Sequence, residues 1–254
     1  MKHLPNLLTL ANLFCGCIAI TFILSAQNFS TAIGFDEYVE VASIEQPYWG
    51  SLFILLAAVF DLLDGWAARA LKVFSPIGKD LDSLADMVSF GVAPSMILFK
   101  MLWTAYMLQP DAMEVNMLAM SPAFLVAIFA AVRLARFNVS AGAQTSSFIG
   151  MPTPAVGMFV AMFPLMLWYG TGKISNILYY PWTLYGIIIV LSLLMVSKIR
   201  FFKLIPPAMT FHTLTPRLIL VVSTLAIIPF LKFEAAFVAM SLYILLSIIF
   251  PPKQ

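Results

Sequence analysis

Charge is what this chain has least of. Only 10% of its 254 residues are Asp, Glu, Lys or Arg, against 62% hydrophobic. A soluble domain carries about 25% charged residues, so this chain reads as an integral membrane protein. A formal net charge of +2 is too small to point to nucleic acid. Cysteine is almost absent as well. Cys15 and Cys17 stand two apart on a predicted helix and point in different directions, which excludes a disulfide between them and leaves both as packing residues. The two histidines, His3 and His212, are too dispersed for a zinc site. Neither an internal repeat nor a low-complexity tract is visible.

What the chain has in abundance is long apolar runs. A spanning helix needs roughly 20 mostly apolar residues. On that measure about eight candidate spans fall near 4–25, 49–72, 83–107, 117–138, 152–171, 177–197, 215–231 and 233–250. The expected fold class is therefore an all-α, polytopic transmembrane helix bundle. The last two spans meet across a short connection around Lys232 and Glu234 and predict a tight hairpin. The first run could pass for a signal peptide. However, Asn6, Thr9 and Asn12 interrupt it and no small-residue cleavage site follows, so it is read as a mature helix. Residues 26–48 read as a loop. Trp49, Trp103, Trp168 and Trp182 fall near predicted membrane ends, as aromatic belts do.

The few charges orient the bundle through the positive-inside rule. With the N-terminus in the cytoplasm, the inner side collects Lys2, Arg69, Lys72, Lys79, Arg133, Arg136, Lys198, Arg200, Lys203, Arg217 and Lys253. The outer side collects only Lys100, Lys173 and Lys232, together with Asp36, Glu37, Glu40, Glu45, Asp111, Glu114 and Glu234. An even span count returns the C-terminus to the cytoplasm. Every inner acidic residue lies in one segment, DLLDGWAARALKVFSPIGKDLDSLAD, which runs from Asp61 to Asp86.

An intramembrane carboxylate is expensive and marks function by default. Asp61, Asp64, Gly65 and Ala68 share one helical stripe, where the two small residues leave room for a close helix or a ligand. Ser75-Pro76 breaks the helix, and Gly78 is expected to permit the turn back. Asp82 and Asp86 then stand one turn apart on the next helix. Two antiparallel helices would bring the pairs together, an arrangement suited to hard divalent cations and phosphate chemistry. Spacing alone leaves two other readings open. One is a proton or sodium path in an ion-coupled transporter; the other is structural pairing with Arg69 and Lys79. Asp80 reads as a solvated interfacial residue, and Trp66 is expected to point away from the carboxylate face.

The fixed positions Asp61, Asp64, Gly65, Ala68, Arg69, Gly78, Asp82 and Asp86 match the D-x-x-D-G-x-x-A-R, G-x-x-x-D-x-x-x-D signature throughout. In this the chain resembles the CDP-alcohol phosphatidyltransferase family. That resemblance implies a six-helix catalytic core and transfer of a substituted phosphoryl group from a CDP-linked donor to an alcohol, with release of CMP. By carry-over, Asp61, Asp64 and Asp82 are metal ligands for Mg²⁺ or Mn²⁺, two ions in all, with Asp86 beside the metals. Asp86 also takes the position of catalytic general base. Gly65, Ala68, Arg69 and Gly78 correspond to the CDP-binding positions, as do Asn6 and Thr9 in the first-helix string PNLLTLAN.

Three further strings, RLARFN (133–138), FIGMPTPA (148–155) and VSKIRF (196–201), resemble the serine-using branch of that family, the membrane-integral phosphatidylserine synthases. The implied partners are CDP-diacylglycerol, L-serine, membrane lipid and a second copy of the chain in a homodimer. Arg133 and Arg136 are acceptor-binding candidates because a guanidinium can hold the serine carboxylate by two hydrogen bonds; anchoring at the membrane surface is the other use open to them. Ser197 and Lys198 either line the same pocket or end their helix. Gly150 and Pro152 suit a tight turn into a helix. The resemblance covers most of residues 4–202, which sets a transmembrane core at 1–202 apart from a C-terminal hairpin at 203–254. Another acceptor, glycerol 3-phosphate or inositol phosphate, is the nearest alternative.

Overall fold

In lipid every backbone polar group must find a partner within the protein, so a spanning chain forms helices or a closed barrel. This chain forms helices. The computed structural model describes residues 3–25, 28–32, 38–42, 48–72, 76–109, 114–140, 147–170, 174–202 and 211–250. Among them run α1 (Leu4–Ser25), α2 (Tyr48–Leu71), α3 (Pro76–Asp86), α4 (Ala93–Met107), α5 (Leu125–Ser140), α6 (Thr153–Tyr169), α7 (Pro181–Val196), α8 (Phe211–Leu231) and α9 (Ala235–Ile249). Short 3₁₀ stretches precede α5 (Met117–Phe124) and α7 (Ser175–Tyr179) and separate α8 from α9 (Lys232–Glu234). A π-helical segment, Met87–Val92, joins α3 to α4.

Among the described residues, five helical stretches are long and apolar enough to cross a membrane: Leu4–Ser25, Tyr48–Leu71, Ile77–Met107, Met117–Val139 and Leu214–Ile249. The last is broken at Lys232, which adopts a left-handed φ of 48°. The helices Thr153–Tyr169 and Pro181–Val196 are shorter but apolar. Each predicted span thus falls on a helix, and the protein is an all-α polytopic membrane bundle.

Three local expectations are corrected. The third span begins at Pro76, not near residue 83, because proline's fixed φ and missing N–H suit the first helical position. Gly78 is consequently inside α3 and is not the turn residue. The segment read as a loop, 26–48, contains β1 (Asn28–Ala32) paired antiparallel with β2 (Tyr38–Ala42), in register Asn28↔Ala42 and Ala32↔Tyr38. The YVEVA of β2 has the β-branched and aromatic content that strands favour. A second ribbon pairs β3 (Ser147–Ile149) with β4 (Arg200–Phe202). Finally, Glu234, counted among the outer-side charges of a short connection, is not solvated there. It is fully buried, and its Oε1 accepts from Ser175 N (3.0 Å), Ser175 Oγ (2.8 Å) and Ile174 N (3.3 Å). These donors sit at the start of a helical turn, where a carboxylate is favoured.

The π segment is the pivot of the packing. It lies between α1 and α6, and both approach through glycine. A Cβ on Gly16 would stand 3.0 Å from the Ser89 Cα; one on Gly157 would stand 2.8 Å from the Phe90 Cβ and 2.9 Å from its Cα. Phe90 itself is fully buried in the core, which runs through Ile54, Leu98, Val160, Phe163 and Ile188. At one end of the bundle aromatic rings gather, with Tyr48 against Trp168 and Tyr169, and Tyr169 against Phe233. The carboxylates lie at the other.

Gly157→Ala is expected to lower the thermal midpoint in detergent, by the equivalent of about 1–3 kcal/mol, because a new methyl group meets backbone. Gly186→Ala is the control, since nothing lies within 4 Å of a Cβ there. Differential scanning fluorimetry of the two variants makes the comparison; equal midpoints would show that α6 has room to move away from the π segment.

Candidate active site

The helical repeat puts Asp61 and Asp64 nearly one turn apart in α2, and Asp82 and Asp86 just over one turn apart at the end of α3. One carboxylate oxygen each from Asp61, Asp64 and Asp82 lies within 4.8 Å of the others. Asp64 is buried, and Asp61 and Asp82 are half-buried. Three converging hard oxygen donors form a group that could hold a divalent cation. Asp86 is buried and stands outside this triad, although it interacts electrostatically with all three members.

Helix α1 supplies the polar surroundings. Thr9 Oγ1 lies 2.7 Å from Asp64 Oδ2 and 3.0 Å from the Pro5 carbonyl, so its one proton has a charged acceptor available. Asn12, fully buried, donates from Nδ2 to Asp86 Oδ1 at 3.4 Å. Its own backbone carbonyl accepts from Ser89 Oγ at 3.0 Å, which ties α1 to the π segment directly after Asp86. Asn6, half-buried, precedes Thr9 by nearly one turn. On α2 the Arg69 guanidinium folds back beside Gly65, where a Cβ would stand 3.6 Å from its Nη1. Ala68 and Gly78 are half-buried, and Trp66 is exposed away from buried Asp64.

Lys79 does not pair with the carboxylates as a structural reading would ask. Its Nζ donates to the Asn138 carbonyl at 2.8 Å, and Asn138 Nδ2 donates to Ser83 Oγ at 2.8 Å. Those bonds pin the end of α5 to α3. One result is the placement of Arg133, which is buried, donates from Nη1 to Thr153 Oγ1 at 3.1 Å, and interacts electrostatically with Asp86.

The acceptor candidates separate on their surroundings. Arg133, Arg136 and Ser197 line one cavity of about 540 Å³, together with Met195, Val196 and Ile149. Arg136 is exposed and reaches the Val196 carbonyl at 3.5 Å. Ser197 Oγ donates to the Leu194 carbonyl at 2.9 Å and so ends its own helix while facing the cavity. Lys198 is exposed and does not line it. The cavity wall depends on the second ribbon. Gly150, with φ 76°, donates its N–H to the Ile199 carbonyl (2.9 Å), and Met151 donates to the Leu194 carbonyl (3.0 Å). The left-handed φ explains glycine at that position.

Sequence reasoning did not assign Thr153, Ser89 or Asn12 to the site. A buried polar side chain on an apolar membrane helix was the available signal for Asn12, which lies nearly one turn after Thr9. Thr153 stands in the FIGMPTPA string but is given no role there, and Ser89 has no such signal, because small hydroxyl residues satisfy themselves on any helix.

Comparison with known proteins agrees with this geometry. The family model described as CDP-alcohol phosphatidyltransferase matches residues 2–197. A CDP-diacylglycerol–serine O-phosphatidyltransferase of Bacillus subtilis is 32% identical over 207 residues, covering 79% of this chain and 90% of the relative. The protein of the same description from Helicobacter pylori strain J99 is 32% identical over 251 residues, covering 96% and 89%. An archaetidylserine synthase of Methanothermobacter thermautotrophicus is 31% identical over 200 residues, covering 78% and 69%.

Thr9→Val keeps the shape of the side chain and removes the hydroxyl beside Asp64. Loss of a partner that orients a metal ligand typically weakens affinity about 10-fold or more, so Mn²⁺ titrated into the purified variant and followed by electron paramagnetic resonance should bind correspondingly less tightly. Unchanged affinity would place the ion away from Asp64.

Proposed function

Because the chain belongs to the CDP-alcohol phosphatidyltransferase family, we propose that it transfers the phosphatidyl group of CDP-diacylglycerol to the hydroxyl of L-serine, giving phosphatidylserine and CMP. The observation that carries the serine reading, beside the names of the relatives, is a buried guanidinium within electrostatic range of the acidic cluster: Arg133, held by Thr153 and influenced by the charge of Asp86.

The donor set of Asp61, Asp64 and Asp82 fits a hard divalent cation, with only carboxylate oxygens and no competing soft ligand. Mg²⁺ or Mn²⁺ bound there, as two ions, would supply neutralisation of the donor's pyrophosphate charge. Thr9 holds Asp64 in place. Gly65 and Ala68 keep bulk away from the nucleotide, while Arg69, Gly78 and Asn6 complete the CDP side. Arg133 takes the serine carboxylate and orients the hydroxyl toward Asp86. Asp86, kept close by Asn12, accepts the hydroxyl proton. The serine oxygen forms its bond to the phosphorus that carries diacylglycerol as the bond from that phosphorus to the bridging oxygen breaks, and CMP leaves with the bridging oxygen. The protein's contribution is mainly position and preset electrostatics.

The bundle is an integral membrane protein, and the excess of Lys and Arg on one side supports a site, and both termini, facing the cytoplasm. The lipid tails then stay in the bilayer while serine arrives from water. Residues 1–202 form the catalytic core, a division that agrees with the family match over 2–197. An ion-coupled transporter is disfavoured: it would need a site between two related halves, whereas a single cluster of three carboxylates, with no second copy, is found among the described residues.

Purified protein given CDP-diacylglycerol, labelled serine and Mn²⁺ should yield labelled phosphatidylserine with one CMP per lipid. Product from glycerol 3-phosphate or inositol phosphate, and none from serine, would reassign the acceptor. Asp86→Asn is expected to bind CDP as the wild type does while turnover falls roughly 10²-fold or more, the usual cost of losing a general base. Near-normal turnover would remove Asp86 from that role.

A further inference from the structure

The C-terminal hairpin lies beyond the residues that the family model matches, yet it packs on β4, whose partner strand β3 lines the acceptor cavity at Ile149. Its α9 carries Tyr243, which is buried. The Tyr243 hydroxyl donates to the Phe202 carbonyl at 3.1 Å. Its ring packs on both aromatic residues of β4, with centroids 5.5 Å from Phe201 and 5.0 Å, edge-on, from Phe202. From α8, the Arg217 guanidinium lies over the Phe202 ring, 5.4 Å from its centroid. Strand β4 comes directly after Ser197 and Ile199, and it is paired with β3, which leads into Gly150, Met151 and Thr153. Thr153 holds Arg133.

These contacts meet on one object, the β3–β4 ribbon, and that ribbon carries the wall of the 540 Å³ cavity at Ile149 and, next to it, Ser197. A ribbon of three residue pairs has little stability of its own. Something must hold it against the bundle; Met151 bonds its base to α7, and α8 and α9 hold β4 through Arg217 and Tyr243.

We propose that Tyr243 is a positioning residue for the acceptor: it holds β4, and through the ribbon the Thr153–Arg133 pair, in the arrangement that receives serine. The hairpin is thereby a working part of acceptor binding and contributes nothing to the donor side. This rests on the reading of Arg133 as the group that takes the serine carboxylate.

The test uses the full chain in detergent, with CDP binding in the presence of Mn²⁺ measured by calorimetry to count folded sites. Tyr243→Phe removes one hydrogen bond and keeps the ring. It should raise the serine KM roughly tenfold, the size expected for one buried hydrogen bond, while the CDP-diacylglycerol KM and the CDP affinity stay within about twofold of wild type. Tyr243→Leu, which also removes the aromatic contacts, should raise the serine KM further. A merely structural role would instead reduce the number of CDP-binding sites and leave the serine KM of those remaining unchanged; that outcome overturns the proposal. Thr153→Val and Arg133→Lys test the underlying reading separately. If neither alters the serine KM, the acceptor lies elsewhere. If both raise it and Tyr243→Phe does not, only the assignment of Tyr243 fails.

Discussion

Mutual repulsion among carboxylates is the constraint that the rest of this molecule answers to. Two unit charges about 4.8 Å apart at an effective dielectric of about 20 repel by roughly 3.5 kcal/mol, so a triad carries on the order of 10 kcal/mol. Net stability of a folded domain is only about 5–15 kcal/mol. The single hydrogen bonds from Thr9 and Asn12 contribute about 1–3 kcal/mol each and cannot offset that. Bound cations or protons can. A cluster of this kind is thus stable as an array of charges only while it holds something positive, which is the property that a site for a pyrophosphate needs.

Keeping three such groups together demands rigid backbone on both sides. Asp61 and Asp64 have it from the long α2, packed against α1 along its length. Asp82 has it from α3, and the helix does not end where its polar residues end. It passes through the π segment into α4, and the extra residue in that turn rotates α4 about the helix axis relative to a regular α-helix. Ser89 and Phe90 are brought by this turn against Gly16 and Gly157, and Asn12 is brought to Asp86. The same close approach that seals the core therefore aims Asp86.

The long elements and the acidic signature were legible in the sequence because both derive from simple periodicities: about 20 apolar residues for a span, three or four residues for one helical face. Departures from these rules were not. Gly78 looked like a hinge because a glycine soon after a Ser-Pro break suits a turn, but Pro76 opens a helix and carries Gly78 inside it. Glu234 looked like a surface charge because acidic residues almost never bury unless paired. Its partners, the Ser175 hydroxyl and two backbone N–H groups, come from a helical turn some sixty residues away, and nothing local announces them. Arg133 and Arg136 illustrate the same limit. Both sit in RLARFN and both are arginine, yet one is buried against Thr153 and the other is exposed, and that difference depends on which side of α5 faces α6.

Glu234 bears on how the C-terminal hairpin should be regarded. A pair of helices appended to a finished core would need only apolar contact with it, and lipid is as good a partner as leucine for that purpose. This pair is attached by polar bonds at two levels. Glu234 caps the turn that begins α7's lead-in, and Tyr243, nine residues or ~14 Å along the same helix, bonds to β4. Buried polar contacts specify one arrangement where greasy surfaces allow many, because a shift of either helix would leave a carboxylate or a carbonyl in lipid without a donor. The two contacts lie at different depths, so together they set the height of α9 relative to the core and its tilt. A hairpin held in that way transmits its position to the ribbon it touches, so the helices beyond the family match are not mechanically independent of the residues within it.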